Sequence, residues 1–274
     1  MVSPQKILLF SFIGIIIFSF SIGEDLNGVD NNYDFNDYEG CGLKGKVKML
    51  IESDSSSPDQ KHIYQFDTAH QTTYEKSGRV ERFYHYENGR LIYFLSCTEG
   101  KCDSMVYVYD ALGRRTEVNG YGGLDRSSRY MTNKYTHDKN GHLIKSVQVT
   151  KYGDITSTQT HRFFYGTDGK AKNATLSFSD FDGTLTNKYT YDKNENRVVD
   201  SLFQNNKCIC VGKLIYDDHN NVISEITTSK DEDFRSNFVF EYVYDSTGNW
   251  IKRTSINKTK NRSSVMRREI EYYQ

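Results

Sequence analysis

Five cysteines carry the clearest side-chain chemistry in this sequence: Cys41, Cys97, Cys102, Cys208 and Cys210. CTEGKC places Cys97 and Cys102 across a Gly-containing loop, where two facing hairpin positions meet at bonding distance. A disulfide between them is the expectation. Cys208 and Cys210 are two apart on an expected strand, so they share a face. Their Cα atoms would stand about 6.6 Å apart, the far edge of disulfide reach, unless the strand bulges. Cys41 reaches them only if the N-terminal strand folds back onto the rest. The rival chemistry is a four-thiolate zinc site from Cys97, Cys102, Cys208 and Cys210, which needs distant segments to converge. The expectation is no metal and no cofactor. DKNENR, 192–197, puts Asp192, Asn194 and Asn196 at calcium-loop spacing, but the sixth position is Arg197 and the twelfth Phe203, where such a loop needs Gly and Glu. The seven histidines show no metal-ligand spacing, and His85 and His137 align with a column otherwise held by Tyr.

DFDGTLT, 180–186, resembles the nucleophile motif of haloacid-dehalogenase-type phosphatases. That resemblance implies Asp180 attacking phosphorus and Asp182 acting as acid/base. The chemistry requires the end of a buried parallel strand. Here ATLSFS alternates in polarity and NKYTYD follows at once, so a Gly turn between two strands is favoured and no enzyme is expected.

The elements that position all these residues repeat. YVYDALG (107–113), YTHDKNG (135–141), FFYGTDG (163–169), YTYDKNE (189–195), LIYDDHN (214–220) and YVYDSTG (242–248) are variants of one phrase. Their last positions are spaced by 28, 28, 26, 25 and 28 residues. FYHYENG (83–89) reads as a worn copy and TTYEKSG (72–78) as a further hairpin phrase. Tyr-x-Tyr puts two aromatics on one strand face. Asp opens a turn by accepting backbone N–H groups, and the last position needs positive φ, which Gly gives freely and Asn tolerates. Glu195 breaks that rule and predicts a strained or differently shaped turn. Between the phrases lie second turns rich in Gly, Asn, Asp and Ser, which close the other end of the sheet; that edge is where recognition loops would gather.

The phrases resemble the YD repeat of the RHS family, best at Tyr107, Tyr109, Asp110, Gly113 and Arg114 and at Tyr242, Tyr244, Asp245 and Gly248. The resemblance implies a spiralling antiparallel sheet and a loose binding role, with carbohydrate as one ligand class. The chain is too short to enclose a cargo domain, so no toxin role is carried over. The expected fold is therefore all-β: an elongated antiparallel meander of hairpin repeats of about 25–28 residues, open or spiralling. Tyr109, Tyr191, Tyr216 and Tyr244 are expected to point one way, as core or as an aromatic ligand platform.

The N-terminus gives the address. Residues 1–23 have the layout of a secretory signal peptide, with Ser21 and Gly23 before a cut at Glu24. The apolar run is short of a bilayer span, so an uncleaved anchor is the alternative. Residues 24–40 hold six carboxylates and no Lys or Arg, a solvated acidic linker, and residues 41–274 form the β domain. A net charge of −1 gives no electrostatic drive toward nucleic acid. The functional expectation is a bacterial secreted, periplasmic or cell-surface binding module for a glycan or envelope protein, with no membrane span after cleavage. The alternative is a structural part of an envelope assembly; the weaker one is the phosphatase.

Overall fold

A computed structural model describes residues 42–123, 126–179, 183–230 and 235–274. The expected signal peptide, the acidic linker, Cys41, Asp180 and Asp182 lie outside the described residues. Among the described residues eighteen strands follow one another: β1 Val47–Asp54, β2 Ser57–Phe66, β3 Thr72–Ser77, β4 Val80–Glu87, β5 Arg90–Thr98 and β6 Lys101–Tyr109. Then come β7 Arg115–Gly122, β8 Ser128–His137, β9 Leu143–Tyr152, β10 Ile155–Tyr165, β11 Ala171–Phe178 and β12 Thr184–Tyr191. The last six are β13 Arg197–Gln204, β14 Lys207–Tyr216, β15 Val222–Ser229, β16 Arg235–Tyr244, β17 Trp250–Asn257 and β18 Arg262–Tyr272.

Each strand pairs antiparallel with its sequence neighbours, as the alternating, turn-punctuated sequence requires. The expectation of an open or spiralling sheet is overturned. β1 pairs with β18 through a ladder from Val47↔Tyr272 to Asp54↔Met266, and the meander closes into a barrel. The stretch that ends in EIEYYQ is thus no free edge, because β18 has partners on both sides. Closure removes the unpaired N–H and C=O groups that an open array would expose.

The connections alternate between two rims. One rim carries the Tyr-Asp tips. Asp67, Asp110, Asp138, Asp192, Asp217 and Asp245 each accept, on Oδ1, the N–H two and four residues ahead, at 2.8–2.9 Å. Gly166 takes the Asp place in the FFYGTDG tip and keeps the same backbone bonds. Glu195 sits at φ +74, yet its tip has the shape of the others; the strain expected there is local and the differing shape is not found. Lys170 pairs with its carboxylate at 2.9 Å.

Two other sequence assignments shift. YQFDTAHQ, 64–71, is a full tip with His70 at φ +63, although a His in the Gly place hides it. FYHYENG ends instead in a two-residue turn at Asn88 and Gly89, and TTYEKSG turns at the opposite rim. Tyr84 and Tyr86, not His85, therefore hold that copy's place on the Tyr face, and His85 stacks on Tyr93 on the other face.

Most of the buried apolar side chains lie on the Tyr face: Leu50, Tyr64, Phe66, Leu91, Tyr107, Val118, Phe163, Leu185, Tyr189, Leu202 and Trp250. Curvature crowds side chains on the concave side, so this face lines the interior. The buried clusters join neighbouring strands and none bridges opposite walls among the described residues. Eighteen strands spaced about 4.8 Å apart enclose a tube at least about 27 Å across, too wide for facing side chains to meet. The described residues form a single-layer wall around an open interior.

Candidate functional site

The four tyrosines of the expected platform lie on the interior face near the Asp rim, all half-buried. Three of their hydroxyls have one job: each donates to the carbonyl of the residue that leaves the preceding tip. Tyr109 bonds Leu91 O, Tyr191 bonds Ala171 O and Tyr216 bonds Arg197 O, each at 2.8 Å. Tyr165 and Tyr242 bond Leu143 O and Val222 O in the same way. Tyr244 donates instead to the Asp217 carboxylate and accepts from Asn221. Burial and the adjacent Asp217 charge push the Tyr244 phenol well above its usual range. Where the column holds Tyr, it ties a hairpin tip to the one before it.

At several tips the residue after the tip reaches forward. Gln71 donates to Gly89 O, Asn196 to Asn220 and Asn249 to both Lys44 O and the Tyr272 hydroxyl. Lys44 N–H donates back to Asn249 Oδ1 at 2.7 Å, so the first and last segments are clasped at this rim. Asn249 is 1% exposed.

Below the rim the interior wall carries buried charge. Glu75 accepts from His62 Nε2 at 2.8 Å, Tyr84 at 2.7 Å and Arg82. Burial raises its carboxyl, but those three donors outweigh it and hold it down at about 2. Arg268 pairs with Glu52 at 2.9 Å and lies 3.5 Å from the Trp250 ring centre. Arg115 stacks over Tyr107 and Tyr135. Burial drives Asp200 up to about 6 despite Arg197 beside it, and His161 down to about 4.

At the opposite rim the wall is notched. The β2–β3 ladder begins at His62↔Ser77, so Ser57–Lys61 of β2 run roughly 16 Å past the short β3–β4 turn. On the β1 side the rungs jump from Ser53↔Lys61 to Asp54↔Ser57, leaving Pro58, Asp59 and Gln60 out of the ladder. The result is a groove of about 420 Å³ lined by Glu52, Asp54, Gln60, Lys61, His62 and Arg79 among others. No spacing rule in the sequence announces it, because its lining comes from β1, β2, β18 and the β3–β4 turn.

Cys97 and Cys102 are bonded, with Cα atoms 4.0 Å apart, as facing residues of the β5–β6 hairpin. That disulfide removes two of the four thiolates a zinc site would need. Cys208 and Cys210 are free, and they do not share a face. A bulge pairs Cys208 with Phe203 and Cys210 with Leu202, consecutive residues of β13 that point to opposite sides. Burial pushes the Cys210 thiol up to about 11. The strands that flank the DFDG motif, β11 and β12, are antiparallel neighbours.

No protein-family model matches the chain, and no curated protein matches it. Among solved structures it is similar to the Tc holotoxin pore of Photorhabdus luminescens, at 12% identity over 76% of this chain and a TM-score of 0.40. A TcdB2–TccC3 structure gives the same values. A porin-like protein from Bacteroides uniformis is similar at 10% identity over 83% of this chain and 99% of that one, with a TM-score of 0.47. The chain spans 14% of the length of the toxin chains.

Proposed function

We propose that this protein is a non-catalytic binding module working outside the cytoplasm, at a bacterial envelope or beyond it. Its ligand is a surface component, carbohydrate foremost. The observation that carries the reading is a wall whose recognition-grade groups are fixed before any ligand arrives. Tyr latches between neighbouring tips and side-chain bonds within the wall hold aromatic, Arg and carboxylate groups on one concave face. Such preorganisation lowers the ordering cost of binding. The Cys97–Cys102 disulfide supports an oxidising compartment. Both faces carry charges at mid-strand, Glu75, Arg82, Asp200 and Arg253 on one and Lys134, Arg162, Lys188 and Lys213 on the other. A lipid-embedded barrel needs an apolar band about 25 Å tall on its outer face, so the reading is of a barrel in water. The antiparallel setting of the DFDG motif gives a phosphatase no support.

A second reading, part of a larger envelope assembly, draws on one feature. Val108, Phe164, Ile215 and Val243 stand 44–56% exposed at a common height just below the Asp rim. A glycan array and a pull-down from envelope extract test both. Glycan retention is expected; silence in the array with one stoichiometric protein partner would favour the assembly.

A further inference from the structure

We propose that the notch above the β3–β4 turn is the ligand groove, and that it takes a neutral polyhydroxylated chain, an oligosaccharide. The inference rests on the binding-module reading and places its site.

The groove is built, not incidental. Its β1–β2 side is pinned at the tip: Ser56 N–H and Oγ both donate to Asp54 Oδ1, at 2.7 and 2.6 Å. Ser55 N–H donates to Val265 O and Ser55 Oγ accepts from Val265 N–H, which fastens the same tip to β18. Its floor is His62, whose ring is held between the Glu75 carboxylate at 2.8 Å and the Tyr64 hydroxyl at 3.2 Å. Glu75 is 4% exposed and bonded to three donors, so the imidazole has no freedom to swing away. The looped-out stretch contributes Gln60 to the lining, with the exposed Lys61 and Arg79.

The ligand class follows from the lining. Acidic groups (Glu52, Asp54) and basic groups (Lys61, Arg79) stand in one groove of about 420 Å³. Glu52 is already paired with Arg268 at 2.9 Å and Arg79 with Glu99 at 2.7 Å, so among the described residues the groove offers neither an anion nor a cation a cluster of unpaired opposite charge. A polyol is attracted by all of it, because each hydroxyl both donates and accepts. Met266 adds the apolar contact that a sugar ring's C–H face needs, and the groove opens at the rim, where a chain can continue out of it.

The test uses the full exported chain and immobilised hexaoses: α-linked glucose, β-linked glucose and β-linked N-acetylglucosamine, with a heparin-derived hexasaccharide as the charged comparison. Two exposed positions are changed together, Gln60→Ala and Arg79→Ala, and Lys193→Ala at the opposite rim is the control. Expected is retention of at least one neutral hexaose by the wild type and by the control, with at least a tenfold loss of affinity in the double variant. Full affinity in the double variant overturns the groove and leaves the binding-module reading standing. Retention of the heparin hexasaccharide alone overturns the ligand class. No retention of any probe by the wild type overturns the inference at its premise.

Discussion

Asp200 carries a destabilising charge in the interior wall. It faces Gly212 across the β13–β14 ladder, with Arg197 Nε 3.2 Å from one carboxylate oxygen. The other oxygen is buried and has no hydrogen-bond partner among the described residues. Burial lifts its pKa to about 6, above an unfolded value near 3.8, and the Asp200 charge adds to the burial that raises Glu225. A folded pKa above the unfolded one means that the folded state holds the proton more tightly. The penalty is absent below about pH 4, grows as pH rises to 6 and is complete above it. Asp200→Asn should therefore stabilise the barrel by about 3 kcal/mol at pH 7 and by nothing at pH 3.5, read from urea unfolding at both values. An equal gain at both would show that the charge is not the cause. Tyr216 is the opposite case, a half-buried ring whose hydroxyl ties two tips together. Tyr216→Phe should cost about 1 kcal/mol with no change of fold. The sequence pointed to this column through its period-2 spacing. It could not say what the hydroxyls do, since their acceptors are carbonyls 18 to 22 residues upstream.

The hairpin tip is the element that the sequence wrote most plainly. Asp in first place and Gly or Asn in fourth are local demands of one turn, so they repeat wherever the turn does. One copy hides where His70 pays the left-handed cost, whereas Glu195 takes the same conformation in a copy that its Tyr-Asp still marks. Glu195→Gly should stabilise by about 1 kcal/mol, because relief of a non-Gly positive φ outweighs loss of a surface ion pair with Lys170. A thermal melt that falls instead would mean that the Lys170 contact holds the rim. The β5–β6 staple was legible for the same local reason: Cys97 and Cys102 flank a two-residue turn with φ +51 and +80 at Glu99 and Gly100. The Cys208–Cys210 arrangement was not, since a bulge turns on how β14 lies against β13.

Closure belongs to the whole molecule and left no mark in any single phrase. It joins residues 47–54 to 266–272, more than 200 positions apart, and it depends on how many strands share the curvature. Antiparallel closure needs an even strand count, which fixes what deletions the barrel tolerates. Removing residues 142–169 takes out one whole period, β9 and β10, and joins Gly141 to Lys170. Sixteen strands remain, the β1–β18 ladder and the Asn249–Lys44 clasp are untouched, and each surviving tip keeps its orientation. Removing residues 142–154 takes out β9 alone and leaves an odd count, so two neighbours must run parallel or the wall must open. An opened wall exposes two long unpaired edges and should associate. The whole-period deletion should stay monomeric, melt cooperatively and scatter as a narrower hollow particle. The half-period deletion should aggregate or lose its near-ultraviolet dichroism. Two equally well-behaved variants would mean that the β1–β18 ladder does not hold the molecule shut.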